Sequence, residues 1–211
     1  MDTINKIINR IHIFYSLGVI YSIKCKYNQL KVALYYVFFD FDKWHIYSTF
    51  QCRPYKKIVV DMVNSLNVDS VLEVGCGMCD ILGRVNSKAK IGVDSDIKIL
   101  NVSRIIYKNK INLVHSDLKN LDLKYFNNID CLIMVNWIHC ISPEELHNIL
   151  SPILPKIKYL VVDSIRDDAE AELNYKYRHD FKFLSKYTKE ISSNSIKKEA
   201  RDIKIFKVAP C

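Results

Sequence analysis

The chain has 211 residues, 49% of them hydrophobic, which is enough for one sizeable folded core and too little for two. Lys and Arg number 31 against 23 Asp and Glu, and the resulting charge of +8 is spread along the chain rather than collected in a block. A scattered excess is typical of a solvated surface, so we expect no nucleic-acid-binding arm. Seven cysteines without a regular framework favour reduced thiols and a cytoplasmic protein.

The amino-terminal end combines basic and apolar residues. Residues 11–23 are apolar, but Ser16, Gly18 and Ser22 interrupt them and the segment is too short to span a membrane. We therefore expect no stable membrane insertion. A loose contact of this end with a membrane surface is the alternative.

Helical spacing of apolar residues predicts an amphipathic helix over residues 27–41 that packs against the main body. Its predicted buried face consists of Leu30, Ala33, Leu34, Val37, Phe38 and Phe41. Residues 42–45 are predicted to form a loop, and Pro54 suits the first turn of a second helix. These patterns divide the chain into a helical extension over residues 1–52 and a main domain over residues 53–211.

In the main domain, short apolar runs alternate with helical patterns. Parallel strands are predicted from Ser70 to the following glycine turn and over residues 90–93, 111–114, 131–135 and 159–163. An antiparallel hairpin at the sheet edge is predicted over residues 195–198 and 203–208. The pattern predicts a doubly wound α/β fold, with a mostly parallel seven-stranded sheet covered by helices on both faces.

The connecting helices have their own signals. Helices are predicted over residues 80–85 and 97–107, and the polar residues 167–189 are predicted to form a helix and a substrate-side loop. Ser142-Pro143-Glu144-Glu145 predicts a further helix start, because Ser is a good cap, Pro fits the first turn and acids face the positive helix end.

A glycine turn follows the first strand. Gly75 and Gly77 have no Cβ, so they tolerate positive φ and allow a ligand to approach the backbone. The second strand ends in Asp94, about 20 positions further on. A carboxylate there is placed to accept hydrogen bonds from both hydroxyls of a ribose. The pattern predicts a nucleoside-binding site.

The run Val71-Leu72-Glu73-Val74-Gly75-Cys76-Gly77, together with Gly92-Val93-Asp94, resembles the class I S-adenosylmethionine (SAM)-dependent methyltransferases. The resemblance covers residues 70–163 and implies SAM as cofactor. In that family the glycine turn lies under the methionine and ribose, and acids after the second and third strands face the ribose and adenine. The implied cofactor-binding residues are Glu73, Gly75, Cys76, Gly77, Asp94, Ser95, Asp117, Leu118, Asn136 and Arg53.

Two of these assignments have structural alternatives. Asp117 would accept a hydrogen bond from the adenine amino group, with the Leu118 N–H beside it, or it is a turn acid. Arg53 would bind the methionine carboxylate with two hydrogen bonds, or it merely starts a surface helix.

The glycine turn departs from the family pattern at Cys79, where a third glycine is usual. Positive φ at a cysteine would cost about 1 kcal/mol, so we expect helical backbone there. In a dinucleotide-binding loop the third glycine would fall at Asp80, whose carboxylate would repel a pyrophosphate. This disfavours NAD and FAD. Cys76 and Cys79 lack the further ligands of a zinc site, so no metal is expected.

Two histidines are candidates for a general base, because their ordinary pKa lies near neutrality. His139 follows the fourth strand and His179 follows the fifth. For His139 a structural role beside Trp137 is an equal alternative.

The resemblance implies methyl transfer to a small polar acceptor, with an oxygen favoured and a sugar- or phosphate-bearing molecule as the class. RNA methylation is the alternative suggested by the basic charge. A binding module with the same fold and no catalysis is a second alternative, suggested by Cys79.

Overall fold

A computed structural model describes residues 18–166 and 175–209. It divides into two compact units, one ending at Pro54 and the other beginning at Tyr55.

The amino-terminal unit consists of helix α1 (Val19–Phe39), the short helix α2 (Trp44–Tyr47) and a 3₁₀ turn (Phe50–Cys52). The predicted helix is confirmed, but α1 begins at Val19 rather than residue 27, and the short helix α2 starts inside the predicted loop at Trp44. The end of α1 is set by Asp40, which takes the left-handed conformation and donates its N–H to the Tyr36 carbonyl.

The predicted buried face of α1 is confirmed at Phe41, which follows the helix and is buried, but it is wrong at four other positions. Leu30, Leu34, Val37 and Phe38 are between 59% and 81% exposed, whereas Val32 on another face is buried. Helical periodicity finds apolar positions, but it does not say which of them a partner covers. In the described residues no helix is both long enough and apolar enough to cross a membrane.

The second unit contains one seven-stranded sheet with strand order β3-β2-β1-β4-β5-β7-β6. The strands are β1 (Ser70–Val74), β2 (Ala89–Asp94), β3 (Asn112–His115), β4 (Ile129–Met134), β5 (Ile157–Ile165), β6 (Thr188–Ile196) and β7 (Arg201–Val208). The first five run parallel, and β7 pairs antiparallel with both β5 and β6. The predicted fold class is confirmed, although β6 begins at Thr188 instead of residue 195.

Helices cover both faces of this sheet. Helices α3 (Pro54–Ser65) and α5 (Pro143–Leu150) lie on opposite faces, and α4 (Ile97–Tyr107) joins β2 to β3. On one face, apolar side chains of β1, β4 and β5 form the core with Leu146 and Leu150 of α5. On the other, α3 carries four buried residues: Tyr55, Val59, Val60 and Val63.

One predicted helix is replaced by tighter structure, and a second lies partly outside the described residues. Residues 80–85 form only a 3₁₀ turn at Leu82–Arg84, because the Leu82 N–H donates to the Glu73 carboxylate at 3.1 Å rather than to a carbonyl of its own turn. Of the predicted helix over 167–189, residues 167–174 lie outside the described part, and the remainder holds a 3₁₀ turn at Lys182–Lys186 before β6 begins.

The start of α5 follows its sequence signal. Ser142 accepts a hydrogen bond from the Glu145 N–H at 3.2 Å, Pro143 occupies the first position, and Glu144 and Glu145 lie in the first turn. Leu150 at the other end of the helix is fully buried.

Replacing Leu150 with alanine is expected to lower the free energy of unfolding by about 2–5 kcal/mol, because a fully buried leucine leaves a cavity. Urea denaturation measures the loss. The matched control Leu123→Ala removes a side chain that is 41% exposed and should change stability by less than about 0.5 kcal/mol. Equal losses in the two variants would contradict the described core.

Candidate functional site

The glycine turn follows the carboxyl end of β1 and is hydrogen-bonded to the carboxyl end of β2. The Gly75 and Cys76 N–H groups both donate to the Val93 carbonyl, at 2.8 and 3.0 Å. Gly75 and Gly77 have φ values of 72° and 51°, which side chains disfavour. The turn therefore folds back over the end of β2.

The Asp94 carboxylate lies directly against this turn. One oxygen accepts the Gly77 N–H at 2.8 Å, and the other accepts the Asp96 N–H at 3.0 Å. Each carboxylate oxygen has two lone-pair positions, so each keeps one for a further donor. Two free acceptor sites on one fixed carboxylate suit a vicinal diol.

The sequence predicts open space for a ligand beside Gly75, but a side chain occupies this space. A Cβ at Gly75 would lie 2.4 Å from Cδ1 of Trp137, so the indole packs directly on the glycine. The Trp137 Nε1–H also donates to the Val74 carbonyl at 2.7 Å. Gly75 thus admits an aromatic side chain at the end of β1, and Trp137 becomes part of the site. No motif in the sequence predicts this role for Trp137.

The expectation of helical backbone at Cys79 was wrong. Cys79 has φ 55° and donates its N–H to the Cys76 carbonyl at 2.8 Å. The left-handed conformation costs a cysteine about 1–2 kcal/mol, and complete burial of the side chain against Gly92 accompanies it. Cys76 and Cys79 are free thiols, and the described residues contain no group of three or more His, Cys, Asp or Glu arranged to hold a metal.

Glu73 faces the interior on the side of α3. It is 3% exposed and accepts the Leu82 N–H. Burial raises the pKa of Glu73 to about 8, although the positive charge of Lys56 acts to lower it. Lys56 itself pairs with Asp80 at 2.9 Å. Glu73 braces the loop that follows the glycine turn, and in this position its side chain acts through that loop.

Ser95 and Asp117, two further candidates for cofactor binding, lie near the end of β3. The Ser95 carbonyl lies 3.0 Å from His115 Nε2, and the Ser116 N–H donates to the Asp94 carbonyl. Asp117 closes a turn: its oxygens accept the backbone and side-chain N–H groups of Asn120 at 2.8 and 2.9 Å, which lowers its pKa. Asp117 thus has the geometry of the turn-acid alternative, and the Leu118 side chain is buried in the core.

A buried ion pair lies at the carboxyl ends of β4 and β5. Asp163 of β5 is fully buried and accepts from Nη1 of Arg201, which begins β7 and is 2% exposed. The other Asp163 oxygen accepts the Asn136 N–H at 2.8 Å, and Arg201 Nη2 donates to Asn136 Oδ1 at 3.0 Å. Arg201 also donates to the Tyr175 hydroxyl and lies over the Tyr55 ring.

The charges of this pair stabilise each other. Burial by itself would raise the pKa of Asp163, but the adjacent His139 ring and the charge of Arg201 lower it below the usual range. No sequence motif marks Arg201, Asp163 or Tyr175 as members of a site. Sheet topology brings them together, since the antiparallel β7 starts at the edge where β5 ends, with Ile165 opposite Arg201.

Both predicted base candidates lie beside this pair. His139 is fully buried, and its Nε2 is 3.3 Å from Asp163 Oδ2, close enough for attraction but without aligned hydrogen-bond geometry. The His179 ring centroid is 5.8 Å from that of His139, and His179 Nε2 lies 3.1 Å from the Ile138 carbonyl. The structure thus brings together two histidines that are far apart in sequence.

Arg53 belongs to the amino-terminal unit. Its guanidinium lies 4.5 Å from the centre of the Trp44 ring, in a cation–π contact. Its role toward a methionine carboxylate stays a prediction.

The fold is similar to that of solved methyltransferases. N-methyltransferase NodS from Bradyrhizobium japonicum WM9, in complex with S-adenosyl-L-homocysteine, matches with TM-score 0.66 and 13% identity over 79% of this chain and 92% of that one. Magnesium protoporphyrin IX methyltransferase (ChlM) from Synechocystis PCC 6803, with bound SAM, matches with TM-score 0.60 and 17% identity over 86% and 97%. TehB from Haemophilus influenzae matches with TM-score 0.60 and 13% identity over 78% and 65%.

No protein-family model and no curated protein sequence matches the chain. The TM-scores of 0.60–0.66 with these solved structures establish the fold, and at identities of 13–17% they establish the fold alone. The second unit therefore has the Rossmann-like fold of the class I SAM-dependent methyltransferases, and what it binds and transfers must be argued from its own residues.

The raised pKa of Glu73 makes stability depend on pH. The folded state holds this proton up to about pH 8, whereas the unfolded chain releases it near the ordinary pKa of 4.5. The stabilisation is therefore complete below pH 4.5, falls progressively as the pH rises, and is lost once the pH passes 8. Glu73→Gln should remove this slope. The stability of the variant relative to the unmodified protein should therefore rise by roughly 1.4 kcal/mol for each step of one in pH between about pH 5 and about pH 8.

Urea denaturation at several pH values measures this difference. Glu144→Gln is the matched control, because Glu144 is exposed in the first turn of α5. Parallel pH profiles for the Glu73→Gln variant and the unmodified protein would contradict the assignment.

Proposed function

We propose that the chain is a SAM-dependent methyltransferase that transfers a methyl group to a small polar acceptor, with oxygen as the favoured acceptor atom. The observation that carries the proposal is the Asp94 carboxylate, held against the glycine turn with one free lone pair on each oxygen. The cofactor supplies an electrophilic methyl group on a sulfonium.

The residues at this edge fit a nucleoside cofactor. Asp94 would accept the two ribose hydroxyls, and the turn at Gly75–Gly77 would lie beside the sulfonium end with Trp137 next to it. Asp117 keeps lone pairs on both oxygens beside Asn120, so it would still accept a hydrogen bond from the adenine amino group. Glu73 would act indirectly by bracing the loop that carries Cys76 and Cys79.

The cofactor assignment predicts a specific loss of affinity. Asp94→Asn should weaken binding of S-adenosyl-L-homocysteine by about a hundredfold or more, because two charge-assisted hydrogen bonds to the ribose are lost. Isothermal titration calorimetry measures it. The control Asp61→Asn removes an exposed carboxylate on α3 that pairs only with Lys57 in the described contacts and should bind like the unmodified protein.

Absence of binding by the unmodified protein, or equal affinities for the Asp94→Asn and Asp61→Asn variants, would refute the cofactor assignment. Binding without turnover on any acceptor would instead favour a non-catalytic binding module with this fold.

The acceptor side would lie around the His139–Asp163–Arg201 cluster, at the carboxyl ends of β4 and β5. Methylation of a hydroxyl requires a base that removes its proton, so a neutral imidazole at this edge suits an oxygen acceptor. The guanidinium of Arg201 is already paired with Asp163 and bonded to Asn136 and Tyr175. A hydroxyl of a sugar-like metabolite therefore fits this side better than a phosphate.

Of the two histidines, His179 is the better candidate for the base. A carbonyl only accepts hydrogen bonds, so the contact with Ile138 requires the proton on Nε2 and leaves a lone pair on Nδ1. This Nδ1 is buried and has no hydrogen-bond partner among the described residues. Burial, with the nearby His139, lowers the pKa of His179, so the ring is neutral at pH 7.

His179→Gln should lower kcat by about a hundredfold or more, the usual contribution of a general base, and leave affinity for S-adenosyl-L-homocysteine unchanged. Release of S-adenosyl-L-homocysteine from SAM over a panel of hydroxylated metabolites measures turnover. The rate of the unmodified enzyme should rise with pH through a pKa below 6.5, and the variant should lose this limb.

His147→Gln is the matched control, since His147 lies on α5 beside Phe183. Unchanged turnover in the His179→Gln variant, with a large loss in His139→Gln, would transfer the role to His139.

A further inference from the structure

Helix α1 carries an apolar stripe that its own unit leaves exposed. The α1 stripe consists of Ile20, Ile23, Tyr27, Leu30, Leu34, Val37 and Phe38. Each of these side chains is between 59% and 81% exposed. Nearly all are spaced three or four residues apart, so they fall within about 100° of the helix circumference. Single exposed apolar residues are ordinary, but a continuous stripe along a whole helix marks a binding surface.

The opposite side of α1 is already used within the amino-terminal unit. Val32 is buried, the Gln29 amide lies 3.5 Å from the Cys52 sulfur, and the Tyr21 hydroxyl donates to the Gln51 carbonyl. The helix is thus fixed to the 3₁₀ turn by one side, and the α1 stripe points elsewhere.

The charges of α1 all have one sign. Its 21 residues contain three charged side chains, Lys24, Lys26 and Lys31, and no acid. At about 100° per residue, Lys24 and Lys31 border one edge of the α1 stripe and Lys26 borders the other. Lysines in such positions keep the ammonium in a polar layer while their methylene stems follow the apolar surface.

We propose that the α1 stripe binds the surface of an anionic lipid bilayer, with α1 lying in the plane of the interface. The apolar side chains would enter the headgroup region, and the three lysines would contact anionic headgroups along both edges. Tyr27 in the stripe, and Trp44 and Tyr47 in α2, which are 36% and 58% exposed, add the amphipathic aromatic rings that interfaces favour.

The same charges disfavour a second copy of the chain as the occupant. Paired α1 helices would bring lysines against lysines in either orientation, because no acid is present to alternate with them. At about 32 Å, the helix has the length of a bilayer core, but lysines along its middle favour the interface.

Vesicle co-sedimentation of the full chain tests the proposal. Phosphatidylserine–phosphatidylcholine vesicles should retain the protein, and pure phosphatidylcholine vesicles should not. Lys24→Gln/Lys31→Gln should lower the partition coefficient by roughly thirtyfold, since each lysine near the surface contributes about fivefold. The matched control Lys189→Gln/Lys207→Gln removes two exposed lysines of β6 and β7 and should have a much smaller effect.

The apolar part of the contact has its own variant. Leu30→Asp/Leu34→Asp should reduce retention to background without changing the thermal unfolding midpoint, because both leucines are exposed. Ile105→Asp/Ile106→Asp, which makes the same charge change at two accessible isoleucines of α4, should retain at least about half of the binding.

Equal retention on both vesicle types, or no retention, would overturn the proposal. So would a dimer in solution that Leu30→Asp/Leu34→Asp dissociates, since that result assigns the α1 stripe to a second copy. Binding to an acidic protein but not to vesicles would assign it to a protein partner and overturn the proposal equally.

Discussion

The ion pair between Asp163 and Arg201 is the constraint on which the structure at the carboxyl ends of β4 and β5 depends. It joins β5 to β7 and, through Asn136, the loop after β4. Two buried charges tolerate burial only when each is paired and hydrogen-bonded, and here Asn136 and Tyr175 complete the set. Loss of one partner would leave the other charge uncompensated in the interior. This interaction therefore fixes the three chain segments that surround His139.

The carboxyl ends of the strands form two halves of different chemical character. The β1–β2 half presents backbone groups and the Asp94 carboxylate, which suit a nucleoside. The β4–β5–β7 half presents imidazole, guanidinium and phenol groups, which suit proton transfer and polar recognition. Trp137 lies between them, since it packs on Gly75 while its chain neighbour Asn136 is bonded to Arg201. The proposed methyl transfer would need both halves close together, and the central position of β1 and β4 in the sheet brings them together.

The amino-terminal unit adds a property that the methyltransferase fold does not require. Its helix α1 leaves an apolar stripe exposed between lysines, and this combination of surface and charge suits a lipid headgroup layer better than water. Such an attachment would hold the chain at a bilayer surface. It is independent of the chemistry in the second unit, so either proposal stands without the other.

Local signals in the sequence determined the glycine turn, the carboxylate at Asp94, the capped start of α5 and the parallel order of short strands, because each depends on residues close together in the chain. Tertiary structure alone decided the pairing of Asp163 with Arg201, the packing of Trp137 on Gly75 and the exposed side of α1. Asp163 and Arg201, like Gly75 and Trp137, are tens of residues apart in the chain, so no local pattern pairs them. Periodicity marks an apolar helix face, but it does not indicate which side chains cover that face. Cys79 shows the same limit: its left-handed backbone occurs together with burial of its thiol against Gly92, which no local preference predicts.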